Sequence, residues 1–142
     1  MIVDTSALIA ILRQEPEAMS FATAIAEADR CRVSAANYLE AAVVIDGSRD
    51  PIASRRFDDL LREARILIEP VTEEHAKVAR EAYRDFGRGS GHSARLNFGD
   101  CFAYALAKTT GDRLLYKGED FLRAGIPRYV ERAPSQDKLG TS

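Results

Sequence analysis

Five acidic residues at four places in this chain stand out by where they fall. Asp4 closes the short apolar run Ile2-Val3 and is followed by Thr5-Ser6, so its carboxylate either points into a crevice at a strand end or caps the next helix. Glu40 is the one charged residue between Ala35 and Ile45, a segment apolar enough to predict a helix buried over most of its surface, with Asn37 one turn earlier on the same side. Asp100 falls in the first turn of another helix, and Gly99 removes side-chain bulk beside it. Glu119 and Asp120 lie on the loop after Leu114-Leu115-Tyr116. Several carboxylates brought together repel one another unless a cation neutralises them. An oxygen-only set with no Cys or His pair selects Mg²⁺ or Mn²⁺ over zinc. Such an ion shares its remaining positions with water and phosphate oxygens, which is the chemistry of phosphodiester hydrolysis.

The elements that must position these acids follow from periodicity and punctuation. Ile2-Val3 reads as a strand running into a helix through Ala7–Leu12, and Glu15-Pro16-Glu17 restarts a helix that ends near Asp29-Arg30. Cys31-Arg32-Val33 is a second strand. Ser34 caps a helix over 35–45 that Gly47 closes, and Pro51 opens another. Ile66-Leu67-Ile68 is a third strand, and Thr72 caps a helix reaching Phe86. Gly87 to Ser93 has loop composition, Asn97 caps a helix that runs to Gly111, and Leu114-Leu115-Tyr116 is a fourth strand. A short helix over 119–123 and a last edge strand at Arg128-Tyr129-Val130 complete the pattern. Short apolar strands alternating with helices predict an α/β sandwich, because parallel strands need crossovers and helices supply them. Ligands of such sheets gather at the carboxyl ends of the strands, where Asp4 lies.

Composition narrows the function classes. The chain has 142 residues, of which 46% are hydrophobic and 30% charged, which suits one domain. No apolar run is long enough for a membrane span and the start lacks a secretory signal pattern, so a cytoplasmic protein is expected. A net charge of −2 excludes a global basic field for nucleic acid. Cys31 and Cys101 are too few for a disulfide scaffold and read as reduced, buried and inert. There is no P-loop, GxGxxG or CxxC pattern.

Met1 to Leu8, Glu40 within Asn37-Tyr38-Leu39-Glu40-Ala41, Leu96 to Ala105 and Leu114 to Phe121 together resemble the PIN-domain ribonuclease toxins of VapC type, in order over about residues 1–130. The resemblance implies a PIN-like three-layer sandwich with a central parallel sheet of four or five short strands, as a nuclease domain over 1–132 with a polar tail over 133–142. It implies a Mg²⁺-dependent endoribonuclease, with Mn²⁺ able to substitute, toxic when free and neutralised by a cognate VapB-type antitoxin. It further implies a homodimer and a structured RNA substrate such as tRNA or rRNA. Position by position, Asp4, Glu40 and Asp100 match the three core acids that hold the metal. Ser6 matches the small hydroxyl residue that steadies Asp4 or a water on the metal. Many PIN domains place a fourth acid where this chain has Gly118; here Asp120, or failing that Glu119, is the substitute.

Basic residues flank both candidate loops. Arg84, Arg88, His92 and Arg95 surround the glycine-rich stretch, and Arg113, Lys117, Arg123 and Arg128 surround the fourth strand. Of these, Arg88, Arg95 and Lys117 are taken as phosphate contacts, each against the alternative of a plain solvated surface. His75 and His92 have no metal-ligand spacing. The apolar first two helices offer a dimer face. Two other readings are weighed: a haloacid-dehalogenase-like phosphohydrolase, which needs Asp where this chain has Ser6 and is disfavoured by it, and a catalytically weak RNA- or antitoxin-binding module of the same fold, against which the retained Asp4, Glu40 and Asp100 argue.

Overall fold

A computed structural model describes residues 1–129. In chain order the elements are β1 (Ile2–Val3), α1 (Thr5–Leu12), α2 (Ala18–Glu27), β2 (Cys31–Ser34), α3 (Ala35–Asp46), α4 (Pro51–Glu63), β3 (Ile66–Glu69), α5 (Glu73–Phe86), α6 (Phe98–Thr110), β4 (Leu114–Leu115) and α7 (Asp120–Arg123). The four strands form one parallel sheet in the order β3-β2-β1-β4. Ile2 stands opposite both Arg32 and Leu114, which makes β1 a central strand.

Side-chain alternation along the strands divides the core into two. Ile2 and Leu114 join one cluster with Ala103, Leu106 and Phe121, on the face covered by α5, α6 and α7. Val3, Leu115, Cys31 and Val33 join the other with Leu8, Ile25, Ala41 and Phe57, on the face covered by α1 to α4. Successive strand residues point to opposite faces, so even a strand of two residues can anchor both layers. Here Ile2 and Val3 are both fully buried. This is the expected three-layer α/β sandwich.

Three expectations need correction. The sheet has four strands among the described residues: Arg128 and Tyr129 are unpaired, and Val130 and the tail over 133–142 lie outside them. Pro127 has no N–H to give a ladder, Arg128 turns to Glu119 at 3.7 Å, and the Tyr129 ring lies 5.0 Å from the Arg113 guanidinium. Tyr116 falls outside β4, its hydroxyl donating to the Ile126 carbonyl at 2.7 Å. The helix α3 is not buried over most of its surface, since Leu39 and Val43 are 61% and 62% exposed. In α1 and α2, Ala7, Leu8, Ala10, Ala24 and Ile25 are buried, whereas Met19 is 82% exposed.

Local chemistry explains the helix starts. Thr72 accepts from His75 N–H at 3.1 Å, and Asp50, which composition did not reveal as a cap, accepts from Ile52 N–H at 3.0 Å. Ser34 sits at the start of α3 without a side-chain cap bond.

Candidate active site

The chain turns from β1 to β2 and β3 on one side and returns to β4 on the other, so the order of connection reverses at β1. A crevice opens at such a switch point, at the carboxyl ends of the strands. Asp4 leaves β1 there, and the loop 116–119 leaves β4 beside it.

Asp4 is 3% exposed and caps α1, one carboxylate oxygen (Oδ2) accepting from Ser6 N–H at 3.0 Å. The other, Oδ1, is buried with no hydrogen-bond donor. Burial pushes the Asp4 carboxyl up to about 7, the charges of Asp100 and Glu40 push the same way, and hydrogen bonding from Ser6 opposes them. Capping and function, alternatives from sequence alone, are therefore compatible: one oxygen caps and the other is free.

Asp100 is fixed by a reciprocal cap at the start of α6. Its backbone N–H donates to Asn97 Oδ1 at 2.8 Å, and its carboxylate accepts from Asn97 N–H at 3.0 Å. Burial raises its pKa to about 6, the backbone bond from Asn97 opposes this, Asp120 and Glu40 add to the rise, and Arg88 lowers it. Glu40 lies against the backbone of α6, where a Cβ on Gly99 would collide with its Oε2. Asn37, fully buried, ties the two helices: its Nδ2 donates to the Gly99 carbonyl at 2.9 Å and lies 3.5 Å from Glu40 Oε1. Sequence reasoning placed Asn37 one turn before Glu40 on the same side without assigning it a role; an amide three residues before the lone acid of an apolar helix was the available signal.

The remaining candidates separate. Asp120 acts on Asp100, whereas Glu119 is engaged by Arg123 at 3.1 Å and Arg128 at 3.7 Å. Ser6 links two strands' ends, bonding Asp4 and accepting from Lys117 N–H at 2.9 Å. The Lys117 ammonium is not free: it pairs with Glu15 at 2.5 Å and Glu17 at 3.4 Å. Arg88 reaches Asp100 electrostatically, and Arg95, exposed, adopts a positive φ of 54° in the loop before α6.

Among the described residues no three carboxylate, thiol or imidazole groups converge closely enough to hold a metal ion as the side chains stand. The acids share a field rather than one ligand point. The donor set nevertheless fits a hard divalent cation, because it is all oxygen, mutually repelling, and includes the orphaned Asp4 Oδ1.

Sheet order, layers and acids at the carboxyl edge define a class, and residues 1–127 match the family model described as PIN domain. VapC ribonuclease Mb0625 of Mycobacterium bovis and Ribonuclease VapC28 of Mycobacterium tuberculosis are each 57% identical over 132 residues, spanning 93% of this chain and 99% of theirs. The chain belongs to the PIN-domain family, among the VapC ribonucleases. Solved structures show the same fold. Mycobacterium tuberculosis VapC20, described as a sarcin-ricin loop cleaving toxin, matches with a TM-score of 0.71 at 18% identity, covering 90% of this chain and 97% of that one. A toxin-antitoxin complex from Klebsiella pneumoniae matches with a TM-score of 0.65 at 20% identity, covering 89% and 92%.

Proposed function

We propose that this protein is a Mg²⁺- or Mn²⁺-dependent endoribonuclease toxin neutralised by a VapB-type antitoxin. The observation that carries the reading is Asp4: a fully buried carboxylate at the sheet's switch point, with an unpartnered oxygen and its pKa raised chiefly by burial and further by the charges of Asp100 and Glu40, in a chain whose relatives are named ribonucleases. A buried carboxylate left in this condition invites a cation.

Asp4, Asp100 and Glu40 would hold the ion, with Asp120 beside Asp100 as the fourth acid. The ion would supply, when bound, neutralisation of the phosphodiester charge and a lowered pKa for the attacking water, which gives up a proton as it attacks. Ser6 holds Asp4 in place, and the Asn97 cap holds Asp100. Asn37 and Gly99 set Glu40 against α6. Arg88 and Arg95 are cations that would contact substrate phosphates near the acids. Hydrolysis adds the water oxygen to phosphorus as the bond to the leaving ribose oxygen breaks, and that oxygen takes up a proton.

The antitoxin and a second copy of the chain are the expected protein partners. Leu39 and Val43 on α3, with Ile52 of α4 64% exposed, leave apolar surface for one of them. Structured RNA such as tRNA or rRNA is the expected substrate. No described helix is long and apolar enough to cross a membrane.

The test is cleavage of total RNA by the antitoxin-free protein with Mg²⁺ or Mn²⁺, beside an EDTA control and a folded Asp100→Asn variant. Discrete products lost in both controls are expected. Metal-dependent products absent from well-folded protein would turn the reading toward a binding module.

A further inference from the structure

On the far side of α6 from the acids, α5 and α6 leave a hollow of about 340 Å³ whose walls include Tyr83, Phe98 and Phe102. Phe98 and Phe102 stand two residues before and after Asp100, so each lies about 160° from it around the helix. Phe98 is 77% exposed, and its ring is set edge-on against Phe102, with centroids 5.0 Å apart at 83°. That contact fixes the ring and leaves its outer face open. Tyr83, 46% exposed, forms a second wall, and the small side chains of Ala79 and Cys101 make room between them.

Charge runs from this hollow toward the acids. Arg80 lines the hollow and has no ion-pair partner among the described residues. Arg84, which pairs with Asp85 at 3.3 Å, follows one turn, about 6 Å, along α5. Arg88 comes after the same interval, just past the helix, where its charge acts on Asp100. An open aromatic face with cations beside it is how proteins hold the bases and backbone of single-stranded nucleic acid. The volume is at the small end of ligand pockets and admits one flat ring system rather than a helix of another protein.

We propose that this hollow binds one unpaired nucleobase of the RNA, stacked on Phe98 with Arg80 on the adjoining phosphate, and so selects where along the strand the acids act. The selection of a cleavage site rests on the nuclease reading above; the binding of a base does not, and is measured without cleavage.

The experiment is fluorescence anisotropy of a short labelled single-stranded RNA of mixed sequence, in EDTA, with the full-length protein. Phe98→Ala is expected to weaken binding by about 5- to 100-fold, Phe98→Trp to retain it, and Arg80→Ala to lower the salt slope by about one. A duplex of the same sequence should be bound equally by wild type and Phe98→Ala, since its bases stay stacked. Unchanged affinity of Phe98→Ala for the single strand, or no measurable binding by the wild type, overturns the proposal. So does sedimentation in which Phe98→Ala dissociates a dimer, because the hollow is then a face between copies. Metal-dependent cleavage of total RNA that persists alongside any of these results leaves the nuclease standing and removes only the base site. Base binding without metal-dependent cleavage does the reverse.

Discussion

The Glu40 carboxylate occupies the space that a side chain at Gly99 would fill, so α3 and α6 approach closely only because residue 99 has none. Alanine at this helical position would gain about 1 kcal/mol of helix propensity, which the collision offsets or exceeds. Gly99→Ala is therefore expected to move Glu40 rather than unfold the chain. RNA cleavage should fall at least about tenfold, the size of effect that displacing a positioned group commonly has. Thermal melting alongside the cleavage assay checks this; full activity would show that Glu40 need not sit where it does.

Metal-free stability should depend on pH in the direction opposite to that of a salt-bridged acid. Asp4 and Asp100 move from 3.8 when unfolded to about 7 and about 6 when folded, so between these values the folded protein binds more protons than the unfolded one. Stability then falls as pH rises through that window and levels off above about 7. Asp100→Asn keeps an acceptor for Asn97 N–H while removing the charge, and should melt higher than wild type at pH 8 in EDTA. A lower melting temperature would count against a repelling cluster.

Added Mg²⁺ or Mn²⁺ should reverse that loss. At a hundredfold excess over its dissociation constant, an ion bound only by the folded state stabilises it by about 2.7 kcal/mol. The gain in melting temperature should be present at pH 8, shrink toward pH 5 as protons compete for Asp4 and Asp100, and be absent in Asp4→Asn. An equal gain in wild type and Asp4→Asn places the ion elsewhere.

Among the basic residues, Arg88 and Lys117 should behave differently. Lys117 already pairs with Glu15 and Glu17, so its ammonium is engaged within the chain, in contacts that solvent screens. Arg88 acts on Asp100. Arg88→Ala is expected to weaken RNA binding and lower its salt slope by about one, and Lys117→Ala to leave that slope unchanged. Titrations of binding against salt decide between them.

Much of this was legible because local and global signals agreed. Asn97 reads as a cap from its type and place, and the same cap that starts α6 fixes Asp100. The alternation of apolar strands and helices gives the parallel sheet. What sequence could not show was which surface each apolar residue meets: α3 looks like a buried helix because Leu39 and Val43 are apolar, yet both are exposed. Glu40 proved significant through Gly99, a contact across 59 positions that no spacing rule contains. The engagement of Lys117 with Glu15 and Glu17 is likewise nonlocal, and it removes the free cation that composition near β4 suggested.

Asn37 offers the sharpest separation of stability from positioning. Its amide is fully buried, its nitrogen serves Gly99 and Glu40, and its own oxygen has no donor. Asn37→Ala removes the bond to Gly99 and leaves a void, and should lower stability by about 1–3 kcal/mol. Asn37→Leu fills most of that void and also removes the unsatisfied oxygen, so it should be the more stable of the two. Neither can hold Glu40 against α6, and both should lose cleavage activity to a similar extent. Denaturant melts and cleavage rates of the pair test this directly: activity that recovered with stability in Asn37→Leu would make Asn37 a packing residue, whereas activity that stayed low would make it the residue that positions Glu40.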